Sequence, residues 1–185
     1  MFKLLQLKHW QLFTLLIGIP FILQIITFGS VVATNDPKTL VFVFPIIMII
    51  YLGLFFGWFY SLGTNLHKKL PTSVNMNLTK FKIFLIIPIL YIFLLSVYQI
   101  GMISKIGTNE QPNPAYFAAI IPIHLFSMFC IFYCLYFIAK VFKSVELQKP
   151  VTFSEFAGEF FLLWFFPIGI WIIQPRINKI FETNR

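Results

Sequence analysis

Four long runs without a charged side chain, Trp10–Asn35, Thr39–Leu66, Ile83–Ser104 and Tyr116–Ala139, constrain this chain more than any other feature. Each is long enough to supply the roughly twenty apolar residues that carry an α-helix through a bilayer. A backbone inside hydrocarbon has to satisfy its own N–H and C=O groups, so runs of this kind become helices. Composition agrees, with 59% hydrophobic and 11% charged residues and a mean hydropathy of +0.87. A soluble domain of 185 residues has too little interior for that much apolar surface. The expected class is an all-α integral membrane protein, a single polytopic membrane domain over residues 1–185 built on a bundle of four transmembrane helices. Val31-Val32-Ala33 has the look of a signal-peptidase site, but the apolar core before it is too long for a signal peptide, so an uncleaved anchor is expected.

The last apolar stretch, Phe153–Arg176, differs from the other four. Its uncharged part, Phe160–Pro175, falls short of a straight span. It carries Glu159, a break at Pro167-Ile168-Gly169, and basic residues on both flanks. Lys and Arg counted by loop place the N-terminal lead, the Thr64–Lys82 loop and the Lys140–Lys149 stretch on one side, the cytoplasmic one. Arg176, Lys179 and Arg185 join that side only if the last segment returns. Length and charge therefore favour a proline-broken re-entrant or in-plane helix; the alternative is five spans. Within the Thr64–Lys82 loop, Val74, Leu78 and Phe81 share a helical face, which suggests a short interfacial helix.

An internal repeat, 40–104 against 117–181, argues the other way. One constant shift carries Pro45 onto Pro122, Gly53 onto Cys130 and Gly57 onto Cys134. After a two-residue insertion, Pro88 falls on Pro167. The segment matching Pro167 is then a full span, so the repeat favours a crossing.

Few polar residues sit where they would do chemistry. Glu155 has a structural role available, because Thr152 or Ser154 caps a helix start with Glu155 in its first turn. Glu159 lies deeper in apolar surroundings and requires a cationic partner, Arg176 or Lys143. Asp36, Glu110, Glu146 and Glu182 read as solvated loop or terminal positions. His124, two residues after Pro122, is the intramembrane histidine, more readily a hydrogen-bonded structural group than a functional one. Gly53, Gly57 and Ser61 form a small-residue stripe suited to helix packing, and Cys130 and Cys134 take the same part in the fourth span. Metal-ligand spacing, nucleotide loops and catalytic triads are missing from the sequence, so no cofactor, no metal and no enzymatic activity are expected. The net charge of +8 is scattered over short loops rather than clustered, which excludes nucleic acid as the partner. Asn77-Leu78-Thr79 matches a glycosylation acceptor but falls in the loop assigned to the cytoplasm.

The function expected from these features is helix–helix assembly, as a scaffold or accessory subunit of a membrane complex. The alternative is an oligomeric channel or small transporter. A lipid-acting enzyme using Glu159 or His124 is the weakest reading, since nothing brings an acid and a base together. The partners are the bilayer and either further copies of the chain or a membrane complex. The expected location is a prokaryotic plasma membrane, multi-pass, with the N-terminus in the cytoplasm.

Overall fold

The computed structural model describes residues 3–35, 38–103 and 114–182, and every described element is helical. A short lead, α1 (Lys3–Gln6), precedes α2 (His9–Phe13), which runs through a π-helical turn, Thr14–Gly18, into α3 (Ile19–Thr34). Three long helices follow: α4 (Lys38–His67), α5 (Leu78–Ile103) and α6 (Pro114–Leu147). Two shorter ones close the chain, α7 (Phe153–Trp164) and α8 (Phe166–Glu182). Among the described residues, four stretches are long and apolar enough to cross a membrane: His9–Thr34, Val43–His67, Leu78–Gln99 and Ile120–Leu147. The architecture is that of an all-α, multi-pass membrane protein.

Pro45, Pro88 and Pro122 all lie inside helices that continue past them. The turn around Asp36 and Pro37, the Lys105–Glu110 loop and Arg185 lie outside the described residues. The interfacial helix expected in the Thr64–Lys82 loop does not form. Residues 68–77 are non-helical, and Leu78 and Phe81 belong to the first turn of α5. Burial explains this. Phe81 is fully buried and stacks on Phe137 of α6, with ring centroids 4.5 Å apart. A Cβ added at Gly63 would collide with that ring. The glycine that lets α5 approach α4 is therefore Gly63, outside the small-residue stripe read from the sequence.

The core lies towards one end of the bundle. Trp58, Phe59, Leu62 and Leu66 of α4 meet Phe137, Ile138 and Phe142 of α6, with Phe156 and Leu163 of α7, Ile170, Ile173 and Ile177 of α8 and Leu5 of α1. The basic stretches gather at that end. Lys69 donates from its ammonium to the Ile180 carbonyl at 2.9 Å, and Lys149 pairs with Glu155 at 2.8 Å. The two ends of the chain meet there as well. Gln174 donates to the carbonyls of Leu5 and Leu7 at 3.1 and 2.9 Å, closing the free carbonyl end of α1.

Between α7 and α8 the chain folds back. Phe165 leaves the helical region, at φ −89° and ψ 52°, and each flanking helix keeps its own hydrogen bonds. In a straight helix, residues 159 and 176 would lie about 25 Å apart. Their side chains are instead hydrogen-bonded at 2.6 Å. The close approach behind the bend depends on Gly169, where a Cβ would overlap the Leu162 carbonyl. The elbow reaches the middle of its neighbours: Trp164 packs on Phe132, near the centre of the Ile120–Leu147 span, and Phe166 on Phe55, near the centre of Val43–His67. Around the bend Phe161, Trp164, Phe165, Ile168 and Trp171 are exposed.

Candidate functional site: an ionic cluster at the base of the hairpin

The densest polar constellation lies where α6, α7 and α8 converge. Lys143 and Glu146 project from the last turns of α6, Glu159 from α7 and Arg176 from α8. Local sequence starts α7 in the right place. Thr152 caps it, its N–H donating to Glu155 Oε2 at 2.7 Å and its hydroxyl to the same oxygen at 2.9 Å. That start puts Glu159 one turn further on, facing α6.

Glu159 is buried, its side chain only 7% exposed. Its Oε1 accepts from Lys143 Nζ at 3.0 Å and from Arg176 Nη2 at 2.6 Å. Arg176 also binds Glu146 with two parallel bonds, Nε to Oε1 at 2.8 Å and Nη2 to Oε2 at 2.5 Å. Its guanidinium lies 4.8 Å from the centroid of the Phe142 ring, adding a cation–π contact. The planar fork of arginine suits this double grip, which an ammonium does not reproduce.

Two cations and two carboxylates balance each other. Burial raises the pKa of Glu159, but the hydrogen bonds from Arg176 and Lys143 outweigh it, so the carboxyl stays below its ordinary value. The Glu146 carboxylate, against desolvation and with help from Glu159, raises Arg176 above its ordinary value. Glu155 is pulled down to about 2, first by Lys149 and then by Thr152. The arrangement is a clamp: its donors and acceptors are turned on one another, and it fastens α8 to both α6 and α7.

The other sequence candidates lie elsewhere. His124 Nδ1 is 3.1 Å from the Tyr91 hydroxyl of α5, on an exposed face and about 28 Å along α6 from Lys143. Cys130 and Cys134 are buried, free thiols on α6, with Cys134 Sγ 4.0 Å from the Phe81 carbonyl. Gly57 and Ser61 are buried in the bundle, whereas Gly53 is exposed and a Cβ there would meet nothing within 4 Å. Among the described residues no group of three or more His, Cys, Asp or Glu side chains could hold a metal. Sequence reasoning missed Glu146, read as solvated, although it follows Lys143 by three residues on one face of α6. It also missed Gln174, for which no local signal exists.

Comparison of the chain with protein-family models, with curated proteins and with solved structures gives no match.

Proposed function

We propose that this protein acts without catalysis, by helix–helix assembly, as a scaffold or accessory subunit of a membrane complex. One observation carries the reading. The α2–α3 rod is the least covered of the spans, with 11% of its apolar window buried against 50% for Ile120–Leu147. On its exposed side Gly29 and Ala33 lie one turn apart, and a Cβ at Gly29 would meet nothing within 4 Å. Lipid offers helices no hydrophobic driving force for association, so close approach at small residues is what drives it. A span with an open small-residue face is suited to a second helix. The internal pairing of the ionic cluster supports a structural role for its charges.

In this reading α7 and α8 form a re-entrant hairpin that enters from the cytoplasmic side and turns at mid-bilayer. The apolar exposed elbow and the ionic base support that placement, and the basic end marks the cytoplasm. The membrane is a prokaryotic plasma membrane, crossed four times, with the N-terminus inside. Native mass spectrometry after gentle extraction tests the assembly: a defined homo-oligomer or a stoichiometric partner is expected, weakened by Gly29→Leu. A wild-type chain that emerges monomeric and partnerless overturns it. The alternative, an oligomeric channel, draws its support from the hairpin, and reconstituted liposomes that stay tight to ions and small solutes would exclude it.

A further inference from the structure

On a different face of the bundle, α4 and α5 run antiparallel and leave an open groove of about 630 Å³ between them. Leu52, Gly53 and Phe56 line one wall, and Leu85, Ile89 and Phe93 the other. Gly53 opens the wall by lacking a side chain. The groove has a polar end and an apolar end. Lys82 and Tyr60 stand at the first, the ammonium 6.0 Å from the ring centroid, while Ile49 and Phe93 stand at the second.

We propose that this groove holds one acyl chain of an anionic phospholipid, with Lys82 taking the headgroup phosphate. Length is the first argument. From residue 82 to residue 93, as from 49 to 60, a helix rises about 16 Å, long enough to hold most of an acyl chain. Polarity is the second: a single cation at one end followed by apolar wall is the pattern of a lipid, charged at its head alone. Charge complementarity is the third. Lys82 has no carboxylate partner among the described residues, and it lies at the basic end, where headgroups of that leaflet would be.

The test uses the full chain in nanodiscs of equal phosphatidylcholine and phosphatidylglycerol, released into a mass spectrometer at rising activation. One phosphatidylglycerol per chain is expected to survive on the wild type. Gly53→Leu, which fills the groove without touching the core, should abolish its retention. Lys82→Gln leaves the wall intact and should weaken retention about fivefold, the scale of one lysine beside a headgroup, removing the preference over phosphatidylcholine. Equal retention of both lipids by the wild type overturns the proposal, as does retention unchanged in Gly53→Leu. Loss of an oligomer rather than of a lipid in Gly53→Leu would identify a partner helix in the groove and overturn it too. Gly29→Leu, on the other face, should leave lipid retention unchanged, which separates this site from the assembly surface.

Discussion

Arg176 and Glu146, thirty residues apart, are joined by two parallel hydrogen bonds at 2.8 and 2.5 Å. The same guanidinium reaches Glu159 at 2.6 Å. One side chain thus ties the last helix to the two before it, and the hairpin closes on that contact.

Removing Arg176 leaves Glu159 buried beside Lys143 alone. Arg176→Ala should cost about 3 kcal/mol, the scale for breaking one partner out of a buried pair. Arg176→Lys keeps the charge but loses the fork, and should fall between alanine and wild type in Tm. A lysine variant as stable as wild type would deny the fork any part. Exchanging the charges of Glu159 and Arg176 should fail to restore stability, because a carboxylate at position 176 would face Glu146.

Acid should loosen this end of the molecule. Glu155 and Glu159 have folded pKa values below their unfolded value of about 4.3. Groups of this kind stabilise above the unfolded value and lose that contribution as pH falls through the folded one. For Glu155 the window runs from about 4.3 down to about 2. Tm in detergent should therefore hold from pH 7 to about 5 and drop below about 4.3, with a smaller drop in Glu155→Gln. A fall that begins near pH 6.5 would show that these carboxylates are not what acid undoes.

Two glycines of the hairpin should respond in opposite directions. Gly169→Ala drives a Cβ into the Leu162 carbonyl and should lower folded yield and Tm. Gly158 sits on the exposed face of α7 with open space around its Cβ position, so Gly158→Ala should stabilise by up to about 1 kcal/mol through helix propensity. Equal effects at both sites would mean that the close approach behind Phe165 is unimportant.

The fold-back also predicts labelling. In a chain with Cys130 and Cys134 replaced by alanine, single cysteines at Gln148 and Glu182 should react with an impermeant thiol reagent from the same side of a sealed vesicle. A cysteine at Trp164 should be protected from both sides. Reaction of Glu182→Cys from the opposite side would make α7–α8 a full crossing.

Several features were legible from residues alone because their physics is local or a matter of transfer free energy. The uncharged runs had to become helices, since hydrocarbon leaves backbone groups no other partner. Thr152 and Glu155 spelled a helix start within four positions. Glu159, isolated in an apolar run, required a cation, and Arg176 and Lys143 were the cations in reach. Tertiary structure alone decided the rest. It placed Glu146 in the cluster, made Gly63 rather than Gly53 the point of close approach, and set Gln174 against carbonyls at Leu5 and Leu7, 169 and 167 residues away. The reason lies in the solvent. Bilayer and protein interior are almost equally apolar, so hydropathy says that a helix is inserted but not which of its faces meets protein and which meets lipid. That choice falls to shape and to a few hydrogen bonds between distant residues, and only the folded chain brings those together.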